Sequence, residues 1–232
     1  MWSGCGKLTN IFLRSGTERT RMKKTELFPK YAWIPVLAVI AANLIVYYVT
    51  GFAVNDQQRH YINMKIDGAI PFVPFFVVFY VLAFVQWAAG WFFTAREGKS
   101  FCYRFCKADV IAKILCLVVF IAYPTIMERP HLEVNGVFTW VLNIIYSVDK
   151  PVNCLPSIHV LASWIAMRSA LKMERVGNTY RMIITLETVL CACAVVLIKQ
   201  HYFIDIPTGI LAAEIGLAVS KRLDNERFLW VR

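Results

Sequence analysis

The sequence is short of charged residues, and this shortage limits the kinds of protein that it can encode. Charged residues make up only 17% of the 232 residues, whereas hydrophobic residues make up 58%. In an average soluble domain about a quarter of the residues are charged, because the surface must face water. The low charge and the mean hydropathy of +0.54 exclude an ordinary soluble domain and indicate a membrane protein.

The sequence also lacks a disulfide framework and a zinc-binding motif. Of the seven cysteines, only Cys154 is expected near an outer membrane face, so no disulfide framework is predicted. No CxxC pair occurs together with histidines at the spacing of zinc ligands. The thiols are therefore expected to pack as small apolar groups.

Long apolar runs are abundant. About 20 apolar residues cross a hydrocarbon core of roughly 30 Å. Six runs approach this length, at roughly residues 31–51, 70–94, 108–126, 157–174, 180–199 and 205–221. In the third run, Asp109 and Lys113 are expected to snorkel to the membrane interface. We therefore predict an all-α fold, a six-transmembrane-helix integral membrane bundle.

One further apolar stretch, 137–146, is too short to be a seventh span. Its ten residues would rise only about 15 Å as a helix. We expect it to be an interfacial or re-entrant segment. If it crossed the bilayer instead, the residues on either side of it would lie on opposite membrane faces.

The distribution of positive charge predicts an orientation. The net charge is +10, but the basic residues gather on one side of the predicted bundle, which favours a membrane partner over nucleic acid. Of the 25 lysines and arginines, those expected on the other side are Arg59, Lys65, Arg129, Lys150 and Lys199. Such an excess marks the cytoplasmic face, so both termini are expected there.

The predicted topology divides the chain into three parts. We predict a basic cytoplasmic N-terminal segment at 1–30, a six-helix membrane catalytic domain at 31–221 and a short basic cytoplasmic tail at 222–232. The N-terminal segment is expected to interact with anionic lipid headgroups. It lacks the apolar stretch of a secretory signal, so no cleavage is predicted.

Polar residues suited to phosphate chemistry gather on the predicted outer side. Ser157 opens the fourth span behind a proline, where free amide groups and the helix dipole attract anions. Arg129 offers a planar charged fork for phosphate oxygens, and Lys199 a further positive charge. These three residues predict a phosphate-binding site.

Two histidines supply the expected chemistry. His201 can attack phosphorus as a nucleophile, with Asp205 four residues later holding its ring in the right tautomer. His159 can act as general acid and base, because the ordinary pKa of histidine is about 6.5. This mechanism predicts no metal and no cofactor.

Each residue also has a structural explanation. Asp205 and Ser157 could cap helices, and His201 could be an interfacial histidine. Lys199 could snorkel, and Arg129 could pair with the adjacent Glu128. The common side, the order and the complementary chemistry of these residues favour the functional interpretation.

These motifs resemble the phosphatidic acid phosphatase type 2 superfamily. Arg129-Pro130 matches the end of its first signature, the stretch from Pro156 to His159 matches Pro-Ser-x-His, and His201 with Asp205 matches the end of the third. The resemblance covers about residues 31 to 221. It implies a six-helix fold, a phosphohistidine on His201 and acid–base work by His159.

The sequence also departs from the family pattern. Ala122 stands where the first signature has lysine, and Ala194 and Val195 stand where the third has Ser-Arg. Two phosphate-binding cations are thus missing, and Lys199 is a candidate to replace one of them. The stretch HYFID is similar to the His-Tyr-x-x-Asp motif of the sphingolipid headgroup transferases, which belong to the same superfamily.

The leading functional hypothesis is an integral membrane phosphohydrolase, acting on a lipid phosphate or diphosphate at the extracytoplasmic face. The first alternative is a phospholipid or sphingolipid headgroup phosphotransferase that uses the same two histidines and aspartate. The second is a non-catalytic lipid-binding relative, and the third is a protein with a histidine-bound metal.

Overall fold

A computed structural model describes residues 27–53 and 59–230, without the side chains of 51–53 and 226–230. Most of the predicted N-terminal segment and the end of the predicted tail therefore lie outside the described residues. Every regular element within the described ranges is helical, which confirms the all-α prediction. The helices are α1 (Trp33–Ala53), α2 (Lys65–Ala69), α3 (Val77–Glu97), α4 (Lys99–Ala122), α5 (Val137–Val148), α6 (Ile158–Ala170), α7 (Asn178–Leu197) and α8 (Asp205–Trp230).

Three stretches in the described chain are long and apolar enough to cross a membrane, namely Lys30–Thr50, Pro74–Glu97 and Asn178–Leu197. They cover most of α1 and all of α3 and α7. Large apolar side chains remain exposed on each of them, for example Ile34, Val85 and Leu186. Apolar surface of this extent is consistent with a membrane protein.

The predicted span at 157–174 forms a shorter helix. Helix α6 has 13 residues, which rise about 20 Å. It packs against α3, α4, α7 and α8, and nine of its residues are buried. The apolar character of this run therefore reflects its enclosure by other helices.

Helix α6 and helix α8 approach each other closely at their first turns. A Cβ atom added to Gly209 would lie only 2.6 Å from the carbonyl oxygen of Ser157. The main-chain amide of Ser157 also donates to the carbonyl oxygen of Asp205 at 3.2 Å. The absence of a side chain at residue 209 thus allows the two helix starts to meet.

The expectation that Asp109 and Lys113 snorkel to an interface is wrong. Helix α4 begins at Lys99, well before residue 108, so both residues lie inside the helix. Their side chains are almost fully buried, and the Lys113 ammonium lies 2.6 Å from the Asp109 carboxylate. The attraction between the two opposite charges compensates in part for the water that both lose on burial.

The segments after α1, α4 and α5 are joined by short main-chain contacts. His60 forms a β-bridge with Thr125, and Ile126 forms another with Val152. The Thr125 hydroxyl also accepts a hydrogen bond from the amide of Cys154 at 2.9 Å. These contacts hold the 149–157 segment over one end of the helices.

Helix α5 has only 12 residues, which rise about 18 Å. This length is expected for a segment that does not span.

We predict that Lys113→Met lowers the free energy of unfolding by about 3–5 kcal/mol, because it leaves a buried carboxylate without its partner. The double substitution Asp109→Leu with Lys113→Met should recover most of this loss. Thermal unfolding in detergent measures both effects. A single variant that unfolds at the temperature of the unsubstituted protein would show that the pair is not buried as described.

Candidate functional site

The predicted contact between His201 and Asp205 is present. His201 lies in the loop between α7 and α8, and Asp205 is the first residue of α8. The Nδ1 atom of His201 lies 3.1 Å from Oδ2 of Asp205 and 2.9 Å from the carbonyl oxygen of Cys154. Both partners are acceptors, so Nδ1 carries the proton and Nε2 has the free electron pair.

Asp205 is fixed by further hydrogen bonds. Its carboxylate accepts from the amide of Tyr202 at 2.9 Å, and its carbonyl accepts from the amide of Ser157. The residue is fully buried. The carboxylate contacts run back to residues 201 and 202, which precede α8, so Asp205 orients the histidine in addition to beginning the helix.

His159 lies opposite His201 across a short gap. The centroids of the two rings are 5.8 Å apart. Aromatic rings of α3 surround His159, with centroid distances of 4.5 Å to Tyr80, 5.4 Å to Trp87 and 5.9 Å to Phe84. These three rings enclose His159 in a largely aromatic environment on the α3 side.

Both histidines line one cavity of about 420 Å³. Its polar lining includes Asp149, Lys150 and Gln200. The rest of its wall is largely apolar or aromatic and comes from α1, α3, α4, α5 and the start of α6, including Asn43, Tyr47, Tyr80, Val81, Phe84, Trp87, Phe120, Ile145, Val148 and Ile158. An apolar chamber with a few polar groups at one place is typical of a small-molecule site.

Ser157 has the capping role that its structural explanation predicts. It is the N-cap residue of α6, and its hydroxyl oxygen accepts from the amide of Val160 at 3.4 Å. The side chain is fully buried. Its contribution to phosphate binding stays a prediction.

Arg129 is held by main-chain carbonyl groups. Its Nη1 donates to the carbonyls of Tyr146 at 3.2 Å and Asp149 at 2.8 Å, and the guanidinium carbon lies 4.2 Å from the centre of the Tyr146 ring. Its Nη2 donates to the side-chain oxygen of Gln200. Burial lowers the pKa of Arg129, and the nearby Asp149 opposes that shift, but an arginine remains charged at neutral pH.

Lys199 is directed away from the histidines. Its ammonium donates to the carbonyls of Asp67 at 3.1 Å and Ile70 at 2.7 Å. Together with Arg129 it lines a second cavity, of about 450 Å³. The structure therefore brings His159, His201 and Asp205 together. It connects Arg129 to them through Gln200 and places Lys199 at the second cavity.

Sequence reasoning missed Asp149. Its carboxylate accepts a hydrogen bond from the Tyr80 hydroxyl at 3.0 Å, and burial raises the pKa of its carboxyl group. Its position after the short apolar stretch, on the predicted outer side, is the signal that could have pointed to it. Asp149 lines the same cavity as the two histidines, and perturbed pKa values cluster at functional sites.

Three residues of the site could also hold a metal ion. Possible ligand atoms of Cys154, His201 and Asp205 all lie within 4.8 Å of one another. A thiol binds metals as the thiolate, however, and burial raises the pKa of Cys154. His201 Nδ1 is also engaged by Asp205 and by a carbonyl oxygen.

Comparisons of the chain with protein-family models, with curated proteins and with solved structures found no match.

We predict that neutral His201 is the Nδ1-protonated tautomer, because both contacts of Nδ1 are with acceptors. NMR of protein labelled with ¹⁵N-histidine measures the tautomer, and His201→Gln identifies the signal. Asp205→Ala should weaken this preference. A dominant Nε2-protonated ring in the unsubstituted protein would contradict the hydrogen bonding described for this site.

Proposed function

We propose that this chain is an integral membrane phosphohydrolase that removes phosphate from a lipid phosphate or diphosphate through a phosphohistidine on His201. One observation carries the proposal: His201, oriented by Asp205, and His159 face each other with ring centroids 5.8 Å apart at a largely apolar cavity. A nucleophile, an orienting carboxylate and a second titratable group are the parts that covalent phosphoryl transfer uses.

In the first step the Nε2 electron pair of His201 forms a bond to phosphorus. The bond between phosphorus and the lipid oxygen breaks, and the lipid oxygen takes the electron pair of that bond. The His159 imidazolium gives its proton to that oxygen, so the lipid leaves as a neutral alcohol, or as a lipid phosphate when the substrate is a diphosphate. Asp205 accepts the Nδ1–H of His201 and stabilises the positive charge that develops on the ring.

In the second step water attacks the phosphohistidine. His159, now neutral, takes a proton from the water while the water oxygen bonds to phosphorus. The N–P bond breaks, its electron pair returns to Nε2 of His201, and inorganic phosphate leaves. The sum is hydrolysis of one phosphate ester or anhydride bond, and both histidines regain their starting protonation.

The apolar lining of the cavity supports a lipid substrate. The side chains of Tyr47, Phe84 and Val148 line it and are also exposed on the protein surface. Their apolar groups extend from the histidines to the outside of the helices. A phosphate at the histidines could therefore carry an acyl or isoprenoid chain along this wall, where burial of each CH₂ group contributes about 0.8 kcal/mol.

For the membrane arrangement we propose six crossings, formed by α1, α3, α4, α7 and α8 and by α6 together with the chain on either side of it. The 13 residues of α6 rise only about 20 Å by themselves. The excess of lysine and arginine on one side of the predicted bundle supports a cytoplasmic location for both termini. The histidines and Arg129 then belong to the extracytoplasmic face. This arrangement is supported by α5, which is too short to span and leaves Arg129 and Ser157 on the same side.

A phosphotransferase is the second candidate. The aromatic rings around His159 would suit a lipid alcohol in the second step, and that alcohol would attack phosphorus in place of water. The two candidates share every residue role and differ in the acceptor.

We predict that His201→Ala abolishes phosphate release, because the loss of a covalent nucleophile removes several orders of magnitude of rate. Purified protein in detergent, with chelator present, is assayed on lipid phosphates and diphosphates. His131→Ala is the matched control, since His131 is exposed and does not line the cavity. Normal turnover by His201→Ala would rule out the phosphohistidine.

The same assay with added diacylglycerol or ceramide identifies the acceptor. The proposal expects free phosphate as the main product at every concentration of alcohol. A new phospholipid with little free phosphate would establish the transferase instead. Binding of lipid phosphate that survives His159→Ala, with no turnover by the unsubstituted protein, would establish the non-catalytic alternative.

We predict that Glu133→Cys and Lys172→Cys are labelled from opposite sides of the membrane. Both residues are exposed in connecting segments, and the orientation puts Glu133 outside and Lys172 in the cytoplasm. An impermeant maleimide added to sealed vesicles of known orientation makes the comparison. Labelling of both cysteines from the same side would overturn the six-crossing arrangement.

A further inference from the structure

Gln200 is a buried polar residue of the cavity that the sequence analysis did not single out. It directly precedes His201, lines the same cavity and is only 4% exposed. Its amide and that of His201 both donate to the carbonyl oxygen of Val195 at 2.9 Å. The backbone of Gln200 is therefore fixed to the end of α7.

The orientation of the Gln200 side chain follows from its contact with Arg129. A guanidinium has only donors, so the group that faces Arg129 must be the side-chain oxygen of Gln200. The Nε2 amide group then points elsewhere, and Nε2 is buried without a hydrogen-bond partner. An unpaired buried donor normally costs about 1–3 kcal/mol, so a bond from this N–H group to an acceptor that enters the cavity would be favourable.

Arg129 and Lys199 do not line this cavity, whereas Lys150 does. Arg129 uses both hydrogens of Nη1 on carbonyl groups, and Lys199 bonds to the carbonyls of another segment. Gln200 is thus the point at which the charge of Arg129 reaches the cavity. A hydrogen bond from the guanidinium to the amide oxygen polarises the amide and makes its N–H groups stronger donors.

We infer that Nε2 of Gln200 donates a hydrogen bond to a phosphoryl oxygen of the substrate, and that Arg129 is the positioning residue that orients this amide. The inference rests on the proposed function, since it names the contact made by the transferred phosphoryl group. During transfer, negative charge is spread over the non-bridging oxygens. A fixed donor beside His201 stabilises this charge without reorganisation.

Gln200→Glu separates this role from a structural one. The glutamate keeps the size of the side chain and accepts a hydrogen bond from Arg129 at least as well, but it offers no N–H group and adds negative charge. We expect thermal stability equal to that of the unsubstituted protein or higher. We expect kcat/KM for a lipid phosphate to fall by about 10²–10³-fold, as it does when an oxyanion donor is removed.

Gln200→Met supplies a second measurement, because it removes the donor without adding charge and should lower kcat/KM by a similar factor. Gln86→Met is the matched control for the loss of a buried amide. Gln86 is 3% exposed, and its Nε2 bonds to Thr188 and to the carbonyl of Ile184. We expect Gln86→Met to lower the unfolding temperature and to leave kcat/KM of the folded protein unchanged.

Binding of vanadate gives a readout that does not depend on turnover. We expect vanadate to raise the unfolding temperature of the unsubstituted protein. For both Gln200 variants, we expect the same rise to require a vanadate concentration that is at least tenfold higher. If the unsubstituted protein hydrolyses lipid phosphates and Gln200→Glu matches it in kcat/KM and vanadate affinity, Gln200 only holds Arg129 and the inference is wrong. If the unsubstituted protein neither turns over lipid phosphates nor binds vanadate, the proposed function itself fails.

Discussion

The close approach of α6 and α8 is the constraint on which the candidate site depends. The amide of Ser157 bonds to the carbonyl of Asp205, and Gly209 leaves room for this contact because a Cβ there would meet the Ser157 carbonyl oxygen at 2.6 Å. His159 follows Ser157 by two residues, and His201 precedes Asp205 by four. The contact between the helix starts therefore sets the distance between the two histidines, although 41 residues of sequence separate them.

Positive charge is used in this site mainly to organise the backbone. Arg129 joins the end of α5 to the loop after α7 through two carbonyl groups and Gln200, and Lys199 joins that loop to the segment around Asp67. The histidines consequently face a chamber whose donors are mostly neutral groups. Such fixed dipoles need no rearrangement when charge develops on a substrate, which is the property that electrostatic catalysis requires.

Parts of this arrangement could be predicted from the sequence because they depend on local spacing. The all-α fold follows from apolar length, and the contact between His201 and Asp205 follows from four-residue separation at a helix start. The burial of Asp109 with Lys113 could not be predicted, because a search for apolar runs places the start of α4 at residue 108, whereas the helix begins at Lys99. The direction of Lys199 and the unpaired amide of Gln200 depend on tertiary contacts that leave no periodic signal. The six crossings and the phosphate-binding roles stay predictions.

The central claim is that His201 Nε2 becomes covalently bonded to phosphorus. Rapid mixing of the protein with a lipid phosphate labelled in its phosphoryl group, followed by alkaline denaturation and peptide mass spectrometry, measures this directly. We expect an acid-labile phosphoryl group on His201 that forms and decays at rates compatible with turnover. Release of phosphate without any labelled protein, or a label on another residue, would contradict the claim.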